Sequence, residues 1–448
     1  MNVRFDMAGG RGANLRAGAG PGLAAFRHRN YRLFFAGQLV SLVGTWMQSV
    51  AQAWLILTLT GDPFWLGVIA AAQFGPVLVF GLFGGVLADA LPKRRTLVAT
   101  QAAMMLLAFA LWLLVATNVV QVWMIVVIAM LLGVANAIDM PVRQSFAVEM
   151  VGREDISNAV ALNSAMFNGA RIVGPAIAGL VIAATGVAIA FLVNALSFLA
   201  VIIGLLLMKD SELVPLSRVA PRPHSVHEVM EQLREGLTYV VRTPMVILAV
   251  AVVGGISTVA MNFNVTVPAY AKDVAHTGAD GFGFLMAATG IGSLVAALWL
   301  AFARRRPQPR LLLGGGVLLG LAEIGLAATT SFPVALGLLF LVGVGGIVMA
   351  ATANAMIQLR VPDDLRGRVL AVYTTVFAGS TPIGGLLTGW IASQAGVPVA
   401  LLVGGGLAVA IALTAVLWLR ARSPGRAEAA SAHVDSTPAI ASTSQRAR

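Results

Sequence analysis

An arginine stands in the apolar, glycine-spaced stretch Asn168-Gly169-Ala170-Arg171-Ile172-Val173-Gly174-Pro175-Ala176-Ile177-Ala178-Gly179. A guanidinium keeps its charge at any biological pH, so Arg171 cannot load and release a proton. It can hold an anionic or hydrogen-bonding group of a small molecule. It can equally tie its helix to carbonyls or to an acid on a neighbour. Asn163 and Asn168 join it on a broad polar sector, and Gly174-Pro175 lets the helix bend there. A second pattern lies earlier. Gln38, Ser41, Thr45, Gln48 and Gln52 follow one another at spacings of 3, 4, 3 and 4, which puts five polar side chains on one helical face. Such a stripe serves hydrogen bonding between helices or lines a water-filled cavity, and its length favours the cavity. Asn136 and Asn262 are further candidates for that cavity, and Thr266 and Tyr270 continue the face of Asn262.

The acids are few. Asp139 and Arg143 lie four residues apart around Pro141, a spacing that favours pairing over proton carriage. Glu323 lies in an otherwise apolar segment, where a lipid-edge or packing role is expected ahead of coupling. Asp89 precedes Pro92-Lys93-Arg94-Arg95, an acid and three cations that can form a charge-assisted latch or simply hold the chain's topology. Catalysis finds no footing. The five histidines (28, 224, 227, 276 and 433) fall outside the apolar segments, and His224 and His227 lack a third ligand for a metal. None of Lys93, Lys209 and Lys272 follows a glycine, so a nucleotide-binding Gly-Lys loop is absent. The residues call for no cofactor.

The elements that position these groups are written in the composition. The chain has 448 residues, 58% of them hydrophobic and 11% charged, against about 25% charged in a soluble domain. Apolar segments of about 20 residues, the length of a membrane span, can be laid out twelve times. Residues 1–30 read as a disordered tail without a signal peptide, 31–208 as a first six-helix bundle, and 209–243 as a linker. The linker ends in an amphipathic helix that carries Val226, Val229, Met230, Leu233, Leu237 and Val240 on one face. Residues 244–420 make a second bundle, and 421–448 a second disordered tail. Lys272 alone among the 30 Lys and Arg falls on the side away from the N-terminus, with Arg171 inside a span. That asymmetry predicts a multi-pass protein of the inner (plasma) membrane with both termini in the cytoplasm. It also sets aside nucleic acid as the partner of a +11 chain, because the charge is not gathered in one patch.

The halves repeat. A shift of 210 turns Gly169, Gly174, Gly179 and Gly186 into Gly379, Gly384, Gly389 and Gly396, but turns Arg171 into Thr381. The scaffold is doubled and the charged site is not. The fold expected is therefore an all-α membrane protein of twelve helices in two pseudo-symmetric six-helix bundles.

Gly85, Leu87, Ala88 and Asp89, with Lys93 and Arg94, resemble the loop between helices 2 and 3 of the major facilitator superfamily; Pro92 and Ala90 depart from it. Gly169, Gly174, Pro175 and Gly179 are similar to the helix-5 motif of that superfamily's antiporters, which are mostly exporters. Phe26-Arg27-His28-Arg29-Asn30-Tyr31 and the surroundings of Arg171 look like its enterobactin-exporter and macrolide-efflux branch. The resemblance implies a secondary transporter rather than an enzyme. It would be a monomer that works by alternating access and exports small amphipathic molecules, with protons as the coupling ion. Asp89, Lys93, Arg94, Asp139, Arg143, Gly174 and Pro175 would then serve gating. A lysophospholipid or lipid flippase of the same fold is the alternative, and a receptor without transport is a more distant one.

Overall fold

The computed structural model describes residues 21–81, 91–214, 226–303 and 307–421. Asp89, His224 and the Arg304–Arg306 run lie outside them. Among the described residues all regular structure is helical. The first half holds α1 (Arg29–Thr60), α2 (Phe64–Gly81), α3 (Lys93–Ala116), α4 (Val122–Val151), α5 (Ile156–Thr185) and α6 (Val187–Leu206). After α7 (Val226–Arg242) come α8 (Pro244–Ala260), α9 (Phe263–Asp273), α10 (Ala279–Phe302), α11 (Pro309–Ala327), α12 (Phe332–Arg360), α13 (Asp363–Ala395) and α14 (Val397–Ala421). Eleven described segments are long and apolar enough to cross a membrane, α8 and α9 counting as one, and Phe64–Phe80 adds a shorter apolar helix.

Prolines mark several starts. Pro244, Pro309 and Pro333 stand in first turns, where a missing N–H costs nothing. Others lie inside helices. Pro141 lies inside α4, which continues past it to Val151. Helices in lipid tolerate such prolines because neighbours take up the freed carbonyl. The seventh span does break. Met261 and Asn262 leave helical geometry, and Asn262 becomes the N-cap of α9 instead of a mid-helix position.

The repeat has a physical meaning in three dimensions. A Cβ at Gly174 would collide with Val43 and Trp46 of α1, and one at Gly384 with Thr258 and Asn262 where α8 ends. Each glycine lets its helix lie against the first span of its own bundle. A Cβ at Gly179 would meet the Ala279 carbonyl oxygen of α10 at 2.8 Å, and one at Gly389 the Pro63 carbonyl at the head of α2 at 3.1 Å. These glycines join opposite bundles. Lipid supplies no hydrophobic drive between helices, so close backbone packing across small residues carries the association. Gly186 and Gly396 (φ 84° and 88°) both turn the chain into the next helix.

The amphipathic helix α7 docks on the start of α13. Gly236 lies against the Arg368 carbonyl, Glu235 pairs with Arg368, and Leu233 and Val240 are turned inward. Met230 and Leu237, placed on the same apolar face by the sequence, are exposed instead, together with Val241. Two apolar edges share the helix.

Candidate translocation pathway

The bundles meet along two seams, α5 against α10 and α2 against α13. On α5 the seam is formed by Arg171, Ile172, Pro175 and Gly179, which face Gly290, Gly283 and Asp280. Counting back along the same face gives Asn168, Ala165, Ser164, Ala161 and Ser157. Asn168 is half-buried and the other four are exposed. Its counterpart on α13 behaves alike. Gly385 and Gly389 pack on Gly67, Ala70 and the Pro63–Phe64 turn, whereas Thr374, Ala371 and Gly367 on the same face are exposed. Ser157, Ala161 and Ser164 become Gly367, Ala371 and Thr374 under the shift of 210. The bundles are closed together in the half of the molecule away from the basic loops and parted in the half near them.

Three contacts reinforce the closed half. Lys272 Nζ donates to the Leu57 carbonyl at 2.6 Å, Trp54 stacks on Phe282 at 6.3 Å, and Arg171 Nη2 donates to Ser293 Oγ of α10. Ser293 Oγ is in turn bonded to the Thr289 carbonyl at 2.9 Å. Pro175 leaves the Arg171 carbonyl without its helical donor, and that oxygen faces Gly290. Arg171 thus stands where the open half ends and the closed half begins. In this state it ties one bundle to the other.

The stripe on α1 is packed. Gln38, Ser41, Gln48 and Gln52 are buried, and Thr45 Oγ1 donates to the Ser41 carbonyl at 2.9 Å. Gln48 Oε1 accepts from Asn194 Nδ2 of α6 at 2.6 Å. Gln38 Oε1 and Gln52 Nε2 have no hydrogen-bond partner among the described residues. Asn136 and Asn168 each donate to the carbonyl four residues back, those of Leu132 and Ser164, at 2.9 and 2.8 Å. Asn262 Nδ2 reaches Thr388 Oγ1 of α13 at 3.0 Å, while its Oδ1 is buried with no hydrogen-bond partner among the described residues. The structure therefore gathers Arg171 and Asn168 beside the parted seam and holds the stripe and Asn262 within helix contacts.

Asp139 is fully buried between α3 and α4. Its Oδ1 accepts from Thr100 Oγ1 at 2.8 Å and Gln101 Nε2 at 2.9 Å, and Oδ2 pairs with Arg143 Nε at 3.4 Å. Lys93 pairs with Glu149 of α4. Arg94 caps the end of α6, donating to the Leu205 and Leu206 carbonyls at 2.7 and 2.9 Å and pairing with Asp210 at 2.6 Å. Sequence reasoning missed Ser293, Thr100, Gln101, Glu149 and Asp210, all of them remote in the chain from their partners. Lys272 carried a signal, as the lone cation of its side. Glu323 is buried in α11, with its carboxyl beside Gly404 and its Cβ beside Gly405 of α14.

The family model described as transmembrane secretion effector, a class of major facilitator transporters, matches residues 20–447. The chain belongs to that family. This transporter is 28% identical to the multidrug efflux pump Tap of Mycolicibacterium fortuitum, over 81% of its own chain and 89% of that protein. It is 24% identical to the staphyloferrin A transporter of Staphylococcus aureus, over 80% and 88%. It is also 24% identical to the enterobactin exporter EntS of Shigella boydii, over 82% and 86%. Among solved structures it matches the POT family transporter PepTSo with a TM-score of 0.67 at 12% identity, over 88% of this chain and 98% of that one. A bacterial Spinster homologue crystallised inward-facing and unoccupied matches with a TM-score of 0.64 at 13% identity, over 89% and 96%. These likenesses carry the fold. The protein is a multi-pass membrane transporter of the major facilitator type, and its relatives are transporters, not enzymes.

Proposed function

We propose that this transporter is a proton-coupled exporter of small amphipathic molecules of the drug, macrolide or siderophore kind, working as a monomer by alternating access in the plasma membrane. The observation that carries the reading is the pair of seams, each closed along one half of a helix face and parted along the other. A carrier needs two such arrangements, and the doubled scaffold supplies the symmetry by which the halves exchange roles. With both termini and the basic loops in the cytoplasm, the parted half opens to the cytoplasm, the side from which an exporter loads. The likeness to the efflux pump Tap and the exporter EntS supports the direction and the substrate class.

Arg171 supplies the charge at the bottom of the loading side. In the exchange it would release Ser293 and hold an anionic or hydrogen-bonding group of the substrate. Asn168 lies on the same face, one turn nearer the opening. The stripe of Gln38, Ser41, Thr45, Gln48 and Gln52, with Asn136 and Asn262, is our candidate for the wall uncovered as the bundles rock. Gly174 and Pro175 are the pivot of α5, and Asp89, Lys93, Arg94, Asp139 and Arg143 the gate on the loading side.

The test is accumulation of a compound panel, siderophores and macrolides included, in cells with and without the gene. Cells lacking it should retain more of one class, and an uncoupler should erase the difference. Arg171→Ala should remove export of that class at unchanged protein level. Equal retention across the panel overturns the exporter reading, and a difference that survives the uncoupler overturns proton coupling. Movement of lysophospholipid in place of the panel makes the protein a flippase.

A further inference from the structure

Outside the seams, an apolar groove of about 550 Å³ runs between α1 and α6 at their basic ends. Leu33, Ala36 and Val40 form one wall and Ala200, Ile203 and Leu207 the other. Val40, Ile203 and Leu207 are 51%, 53% and 54% exposed, so the groove opens outward toward lipid and not into the bundle. Its floor is low because α1 and α6 touch backbone to backbone: a Cβ at Gly37 would strike the Ala200 carbonyl, and one at Gly204 the Leu33 carbonyl. Arg29 and Arg32 close its upper end. A smaller polar pocket of about 310 Å³, lined by Arg27, His28, Arg29, Asn30, Met150 and Glu212, adjoins it and shares Arg29.

The charges there are unevenly committed. Arg27 and His28 both pair with Asp155 at 2.7 Å. Arg29 gives one N–H to the Leu207 carbonyl at 3.1 Å, and Arg32 gives one to the Phe26 carbonyl at 3.2 Å. Each guanidinium has five donors in a planar fork that suits phosphate oxygens. These single backbone ties fix the forks at the mouth of the groove and leave donors to spare. The arrangement suits a lipid: both arginines stand in the first turn of α1, just before its apolar run, and the groove descends from Leu33 to Val40, about 10 Å at 1.5 Å per residue.

We propose that this groove binds one anionic phospholipid from the leaflet on the basic side. Arg29 and Arg32 hold its headgroup, where no quaternary amine offsets the phosphate charge, and an acyl chain lies along α1 and α6. The lipid would brace the pair of helices that carries the polar stripe on its other side, outside the substrate path.

The experiment is native mass spectrometry of the purified, delipidated full chain titrated with three probes. These are phosphatidylglycerol, phosphatidylcholine with the same chains, and glycerol phosphate. One phosphatidylglycerol should bind about thirty-fold more tightly than phosphatidylcholine, the effect of two basic residues at an anionic surface. Glycerol phosphate should not displace it. Arg29→Gln with Arg32→Gln should erase the preference, while Ala36→Trp, which fills the exposed groove and keeps both arginines, should weaken phosphatidylglycerol itself. Equal binding of the two lipids by the wild type overturns the proposal, and so does an unchanged preference in the arginine variant. Displacement by glycerol phosphate would mean a free-phosphate site, and wild-type affinity in Ala36→Trp would mean that no chain lies in the groove.

Discussion

Asp139 takes two hydrogen bonds from one helix and pairs with a cation on its own. Thr100 and Gln101 reach it from α3, and Arg143 reaches it one turn down its own helix. A buried carboxylate without its cation is costly, and breaking such a pair from one side destabilises by about 3–5 kcal/mol. Arg143→Gln should therefore lower the unfolding temperature in detergent sharply. Asp139→Asn should cost less on its own, since an amide can still accept from Thr100. The double variant should recover most of the loss of Arg143→Gln; strict additivity of the two would show that the pair is not what stabilises this corner. The pairing itself was legible at a spacing of four. Thr100 and Gln101 were not, because nothing in a sequence says which face of α3 turns toward α4. The same holds for Lys93 with Glu149 and Arg94 with Asp210, partners 56 and 116 residues apart.

At the scale of elements, α5 and α13 decide the state of the molecule. Each buries glycines on one bundle's first span and on the other bundle's second, and each exposes the same face a few turns away. Gly283 of α10 sits so close to the Pro175 carbonyl that a side chain there cannot be accommodated without parting the seam. Gly283→Val should consequently open the closed half. A cysteine placed at Ala287, buried one turn along α10, should then react with a water-soluble maleimide several-fold faster than in the Gly283 background. An unchanged rate would mean that the seam does not gate. The sequence disclosed these glycines through their repetition at 210, but it did not say that the first of each pair packs within a bundle and the second between bundles. That distinction depends on how far along the helix the neighbour diverges.

For the whole molecule, the consequence is one-sided access. The chain has no cysteine, so labelling has no background. Cysteines at Ser164 and Thr374 should be labelled by an impermeant reagent from one side of the membrane only. The Gly283→Val change should protect them as it uncovers Ala287, because a rocking carrier cannot be open at both ends. Labelling of Ser164 and Thr374 from both sides would describe a channel. Persistent labelling beside a newly reactive Ala287 would mean that the two seams are not coupled. The break of the seventh span at Met261–Asn262 belongs to this scale as well, since it places Asn262 against Thr388 of α13 at the junction of α8 and α9.

By itself the sequence determined the solvent, the number of spans, the doubling of the scaffold and the family. The first two follow from composition, the doubling from glycines repeated at an offset of 210, and the family from the motifs the chain resembles; lipid enforces helices wherever twenty apolar residues run together. Only the tertiary structure decided that Arg171 reaches Ser293, that the stripe on α1 is packed in this state, and that the seams close at one end. Those facts depend on the rotation of each helix about its axis and on which neighbour it meets. In a bilayer that choice is made by close packing of small residues between chain-distant helices, and periodicity within one helix does not encode it.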